Sequence, residues 1–177
     1  MIWDCETWKD DLLNYAKQLA SWKTSRTLSA KDLHLLERET FIAFYSIRKL
    51  KEALKISPAL VSKTIKVETY KSKTKKADHL NWHKIDELYH LDKSDTKNIK
   101  ISRLINVFIH SFVFLVVENP SGGLGGFYVN SDHSKKNQLW YISVNTVEWL
   151  AKKIGNDFPA STHFERDPTT REWIRFK

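Results

Sequence analysis

The stretch "RLINVFIHSFVFLVVE", Arg103–Glu118, contains the point at which the hydrophobic pattern of the chain changes from helical to extended. Upstream, apolar residues recur at spacings of three and four, which predicts amphipathic helices over Trp3–Trp22 and over Ser29–Leu54. Downstream, three short extended runs separated by turn residues predict an antiparallel meander, "FVFLVVE", "FYVNSD" and "QLWYISV". The predicted fold class is α+β: N-terminal helical hairpins, a three-stranded antiparallel meander and a C-terminal helix capped by Asn145.

The chain of 177 residues is predicted to form a single domain, 1–177. Its helical part is expected to cover about 1–111, and the meander with its helix about 112–177. Two shorter elements are expected inside the helical part. The alternation in "TIKVETY" favours a strand, and "HLNWHKIDELYHL", residues 79–91, favours a helix with Trp82, Ile85 and Leu88 facing inward.

The chain carries 29 Lys and Arg against 21 Asp and Glu, a formal net charge of +8. Such an excess favours polyanionic partners such as nucleic acid or acidic membrane surfaces. Part of it is concentrated within fourteen residues, where the alternatives are a phosphate-contacting surface or a solvated loop. The lysines predicted as nucleic-acid-binding residues are Lys63, Lys66, Lys71, Lys73, Lys75 and Lys76.

Cysteine usage and the N-terminus predict a cytoplasmic protein. Cys5 is the single cysteine, and the acidic N-terminal stretch "MIWDCETWKDDLL" does not resemble a signal peptide. The longest apolar run, Phe112–Val117, is too short to cross a bilayer as a helix, so no membrane partner is expected.

Three polar residues interrupt the apolar segment quoted first. If residues 98–110 are helical, Arg103 and His110 lie within about 20° of one face, with Asn106 between them. Histidine can accept the proton of a ribose 2′-hydroxyl, and the guanidinium can stabilise the charge that develops on a phosphate. Arg103, Asn106 and His110 are therefore the candidate catalytic residues for RNA cleavage, with no metal or other cofactor required.

The segment "RLINVFIH" resembles the Arg–His motif of HEPN-domain proteins, with Arg103 and His110 at the two matching positions. The resemblance covers about residues 29–111. Many members of that family are metal-independent RNases or inactive relatives of such enzymes. The resemblance implies an RNA substrate and a homodimer in which two such helices face each other.

Other polar and glycine-rich groups in the sequence are also candidate sites. His79 and His83 have a spacing that could chelate zinc on one helix face, although surface histidines are the simpler interpretation. The glycines between Gly122 and Gly126 fit a hairpin loop better than a phosphate cradle. Glu39 and Arg48 could join Arg103 and His110 in a polar cluster.

The segment Ser131–His133 contains the residue types of a catalytic triad. Ser131, Asp132 and His133 are interpreted as a turn, because adjacent residues cannot form a catalytic relay. The alternative function is a non-catalytic interaction or ligand-binding protein with a basic surface, which exposure of Trp140 or Tyr141 would favour.

Overall fold

The N-terminal part of the chain forms two long helices in the structure, a computed structural model that describes residues 2–24, 27–159, 163–171 and 173–176. Helix α1 spans Glu6–Thr24 and helix α2 spans Ala30–Glu52. Ser29 and Asp32 form a reciprocal capping box at the start of α2, which confirms this predicted boundary. A short helix, α3, follows at Pro58–Ser62.

The rest of the chain alternates between strands and helices. Its elements are β1 Thr64–Ser72, α4 Ile85–Leu88, β2 Tyr89–Lys100, α5 Ile101–Ile109, β3 Ser111–Glu118, β4 Leu124–Ser131, β5 Gln138–Ser143, α6 Val144–Gly155, β6 His163–Arg166 and β7 Trp173–Phe176. Strands β1 to β5 form one antiparallel sheet in the order β2-β1-β5-β4-β3, and β6 pairs with β7 in a second. The α+β class is confirmed.

The predicted sheet of three strands is wrong, because β1 and β2 extend it to five. Strand β2 lacks the apolar alternation on which strand prediction depends, and its residues 92–98 are all exposed. It is an edge strand that pairs with β1 from Lys100 opposite Thr64 to Ser94 opposite Tyr70. Between its buried ends, Tyr89 and Ile99, backbone pairing with β1 rather than apolar burial holds the strand in the sheet.

The predicted division into a helical part at 1–111 and a β part at 112–177 is also wrong. Strand β1 pairs with β5 along Glu68–Lys71, so the two parts share one sheet. The helix predicted over residues 79–91 shrinks to the four residues of α4, after a turn that covers 79–83. The cap of α6 is Ser143, which accepts from the Thr146 amide, and not Asn145.

The main core lies between one face of the sheet and helices α1, α2, α5 and α6. Phe44 of α2 stacks on Phe108 of α5 with ring centroids 3.8 Å apart. Phe108 in turn meets Phe127 of β4 edge to face. Helix α5 is thereby fixed between α2 and the sheet, and this position determines where its polar residues point.

The opposite face of the sheet is covered in part by the segment that joins β1 to β2. Leu88 and Tyr89 are fully buried there, together with Val113 and Leu139. No helix among the described residues combines the length and apolar composition needed to cross a bilayer.

Candidate functional site

An open cavity of about 410 Å³ lies between α5 and the loop that joins β4 to β5. Arg103, Asn106 and His110 all line it, so the structure brings the three candidate catalytic residues to one surface. A cavity of this size falls in the usual range for small-molecule and nucleotide sites. The catalytic roles of the three residues stay a prediction.

Helix α5 produces this arrangement through its burial pattern. It begins at Ile101, later than the predicted residue 98, because residues 98–100 belong to β2. Leu104, Ile105 and Phe108 are buried, whereas the three polar residues are exposed. His110 ends the helix as its C-cap, with its N–H directed at the Asn106 carbonyl. The apolar side therefore anchors the helix and leaves the polar stripe at the cavity.

His110 also contacts α2. The Arg48 guanidinium lies 3.2 Å from His110 Nε2, and the same guanidinium pairs with Glu52 at 2.8 Å. Because a guanidinium can only donate, Nε2 must accept, which places the imidazole proton on Nδ1. In this contact Nε2 presents its lone pair, which is the feature that a general base uses.

The predicted cluster of Glu39, Arg48, Arg103 and His110 is only half correct. Arg48 reaches His110, but Glu39 pairs with Arg38 at 2.6 Å and lines a different groove, between α1 and α2. Nine residues at about 100° each place Glu39 and Arg48 on opposite sides of α2. One helix cannot bring both side chains to the same cavity.

Trp140 of β5 also lines the cavity. Trp140 is only 1% exposed and Tyr141 is half-buried. The exposure of these two residues that would have favoured an interaction surface is therefore not observed. The Arg103 guanidinium lies 5.3 Å from the centre of the indole ring, within cation–π range. Across the described part of the chain, Trp140 Nε1 is the one buried side-chain polar atom without a hydrogen-bond partner.

The loop after β4 supplies the other wall through Ser131, Asp132, His133 and Ser134. Ser134 Oγ accepts from the Ser131 amide at 3.1 Å, and the Asp132 amide donates to the His110 carbonyl at 3.3 Å. The turn predicted at Ser131–His133 is confirmed, but the turn also delivers a second histidine to the cavity. The sequence shows a histidine beside a serine and an aspartate. It does not predict that this turn lies next to Arg103 and His110.

A buried polar network fixes this loop. Asn130 donates to the Tyr89 hydroxyl at 2.7 Å and accepts from the Val113 amide at 3.2 Å. The Tyr89 hydroxyl donates in turn to the Lys135 carbonyl at 2.7 Å. Burial raises the pKa of Tyr89 to about 12, so the hydroxyl keeps its proton at neutral pH. The network ties the β4–β5 loop to β2 and β3.

The six predicted lysines do not line this cavity. Most have partners within the chain: Lys71 pairs with Asp95, Lys75 with Glu87, and Lys73 donates to the Asp86 carbonyl. Lys76 Nζ donates to Ser72 Oγ and the Lys73 carbonyl. Lys66 lines a separate groove beside β5, and Lys63 is exposed at the end of α3.

The structure does not support a zinc site at His79 and His83 and agrees with a hairpin loop at the glycines. His79 and His83 both lie in the turn that covers residues 79–83 rather than on one helix, which removes the geometry assumed for zinc chelation. His79 instead packs on the Phe112 ring, with centroids 5.1 Å apart. Within the described ranges, no three His, Cys, Asp or Glu side chains form a group that could hold a metal ion. Gly122 and Gly123 adopt positive φ in the β3–β4 hairpin, as predicted.

Comparison with known proteins gave no match to this chain at the level of a protein family, a curated protein or a solved structure.

Proposed function

We propose that the protein binds and cleaves RNA at the cavity between α5 and the β4–β5 loop, without a metal ion. The observation that carries the proposal is that Arg103, Asn106 and His110 line one open cavity, where the Arg48 guanidinium lies 3.2 Å from His110 Nε2. A base, a guanidinium and an amide are the groups that transphosphorylation of RNA can use.

Each group has a role in this proposal. The substrate phosphate attracts the Arg48 guanidinium, which releases His110 Nε2 to take the proton of the 2′-hydroxyl. Arg103 lies at the same cavity and stabilises the charge on the nonbridging oxygens as the 2′-oxygen attacks phosphorus. Asn106 positions the substrate by hydrogen bonding. The products are a 2′,3′-cyclic phosphate and a free 5′-hydroxyl.

The resemblance to HEPN-domain proteins also implies a homodimer, which we retain as part of the proposal. The cavity nevertheless takes all its described lining residues from one chain. A second copy could narrow or extend the cleft, but it is not needed to bring Arg103 and His110 together. Sedimentation of the purified protein would measure the oligomeric state directly.

The second candidate function is non-catalytic binding of an anionic ligand. The guanidinium of Arg103 above the Trp140 ring at the cavity favours it. Both groups suit recognition of a planar or anionic molecule and need no chemistry. Saturable binding of RNA without any cleavage product would select this alternative over the enzyme.

The test uses a fluorescently labelled single-stranded RNA incubated with purified protein in EDTA. The Arg103→Ala, His110→Ala double variant should lose at least about 100-fold in cleavage rate. The matched control is the His34→Ala, Arg38→Ala double variant, because both residues are exposed on α2 and neither lines the cavity. The control should cleave at the wild-type rate.

Two results would contradict the proposal. One is the absence of cleavage by the wild-type protein across a range of RNA sequences. The other is an Arg103→Ala, His110→Ala variant that remains folded by circular dichroism and cleaves as fast as the wild type.

A further inference from the structure

RNA cleavage by the neighbouring hydroxyl needs an acid as well as a base. The 2′-oxygen forms a bond to phosphorus, the bond from phosphorus to the 5′-oxygen breaks, and the departing 5′-oxygen must receive a proton. The base His110 removes the proton from the 2′-hydroxyl on the other side of the phosphorus. None of the residues predicted from the helix supplies the second proton, since Arg103 does not release its proton in proteins and Asn106 has none to transfer.

His133 lies on the opposite wall of the same cavity. It directly follows Asp132, whose amide donates to the His110 carbonyl at 3.3 Å. One backbone hydrogen bond and one peptide unit therefore connect the two histidines. The Ser131–Ser134 hydrogen bonds and the Asn130 network hold this part of the loop in place. His133 thus lines the same cavity as the candidate base, on a loop that hydrogen bonds hold in place.

The surroundings of the two histidines differ in a way that separates their roles. His110 Nε2 accepts a hydrogen bond from the Arg48 guanidinium. His133 is exposed, and no hydrogen bond to its ring is present among the described residues, while the neighbouring carboxylate of Asp132 pairs with Lys135 at 2.6 Å. The His133 ring is therefore open to a substrate in the cavity.

We propose that His133 is the general acid of the reaction and donates its proton to the departing 5′-oxygen, while His110 acts as the base. This inference depends on the proposed function and adds a catalytic residue to it. After one turnover His133 is neutral and His110 is protonated. Hydrolysis of the 2′,3′-cyclic phosphate or exchange with water restores both protonation states.

The test compares two substrates that differ only in the leaving atom. One is an ordinary RNA dinucleotide, and the other carries sulfur in place of the bridging 5′-oxygen. A thiolate is a much weaker base than an alkoxide and departs without protonation. His133→Ala should cleave the ordinary substrate at least about 100-fold more slowly than the wild type, and the sulfur substrate at the wild-type rate.

His110→Ala should be slow on both substrates, because the 2′-hydroxyl must lose its proton in either case. His34→Ala, which removes an exposed histidine away from the cavity, should match the wild type on both. Unchanged cleavage of the ordinary substrate by His133→Ala would overturn the inference alone, as would equal slowing on both substrates. A wild-type protein that cleaves neither substrate would overturn the proposed function as well.

Discussion

The cavity wall and the lysine-rich segment, residues 63–76, are both basic, but they differ in what their cationic side chains contact. At the cavity, Arg103 and His110 are exposed on one surface, and Arg48 directs its guanidinium at His110. In the lysine-rich segment, Lys71 and Lys75 are paired with carboxylates on neighbouring elements. A count of cations in the sequence therefore does not show where a polyanion binds.

The energetics of the two regions differ as well. Exposed ion pairs such as Lys71 with Asp95 contribute roughly 0–1 kcal/mol to stability and keep the local net charge low. The cavity loop rests instead on the buried side chain of Asn130, which is fully inaccessible to solvent. Loss of a buried hydrogen-bonding group costs more than loss of an exposed pair. The cavity is thus the more rigidly supported region.

The largest expected effect comes from two buried asparagines, Asn130 beside the cavity loop and Asn81 in the turn that follows the lysine-rich segment. Asn130 bonds to Tyr89 and Val113, which are distant in sequence, whereas the bonds of Asn81 go to Asp78 and Lys76 nearby. Asn130→Ala should lower the free energy of unfolding by about 3 kcal/mol, and Asn81→Ala by about 1 kcal/mol. Urea denaturation measures both.

Hydrogen exchange adds a local measurement to this comparison. Asn130→Ala should accelerate exchange in the β4–β5 loop, because the anchor of that loop is lost, whereas Asn81→Ala should affect only residues around the turn. Equal destabilisation by the two substitutions would mean that the Asn130 hydrogen bonds hold the cavity loop no more firmly than the local bonds of Asn81 hold its turn.

The sequence predicted those elements of the fold whose signals are local. The capping box at Ser29 and the apolar stripe of α2 require only neighbouring residues, and both are present. Strand β2 was missed because its exposed residues 92–98 carry no apolar pattern, and its place depends on pairing with β1. Long-range backbone pairing leaves no periodic signature at an exposed sheet edge.

The candidate site divides in the same way. The face shared by Arg103, Asn106 and His110 follows from helical geometry alone, so spacing was enough to predict it. His133 and Trp140 reach the cavity through the order of the strands, which the sequence does not reveal. Helix periodicity predicts neighbours within one element, whereas tertiary topology decides which other elements complete a site.

A smaller effect is expected from exchanging one kind of cation for the other. Arg103→Lys keeps the charge but removes the planar fork that can contact two phosphate oxygens, so kcat/KM for RNA should fall about tenfold. The reverse exchange in the other region, Lys73→Arg, should leave kcat/KM unchanged. Wild-type kcat/KM in Arg103→Lys would show that charge alone, and not the planar fork of the guanidinium, governs activity.

The smallest effect concerns the acid stability of one exposed pair in each region. The hydrogen bond from Lys75 lowers the pKa of Glu87, and the hydrogen bond from Lys135 lowers the pKa of Asp132. Because each pKa is lower in the folded protein, each carboxylate stabilises the fold above its ordinary pKa of roughly 4, and this contribution is lost as the pH falls through the folded value.

Glu87→Gln and Asp132→Asn should therefore both flatten the decline of the melting temperature between about pH 5 and pH 3. Their effects on RNA binding should differ. Asp132→Asn removes a negative charge from the cavity wall and should tighten RNA binding at low salt, whereas Glu87→Gln should leave binding unchanged. If only Glu87→Gln tightened RNA binding, the result would indicate that RNA binds at the lysine-rich segment and not at the cavity.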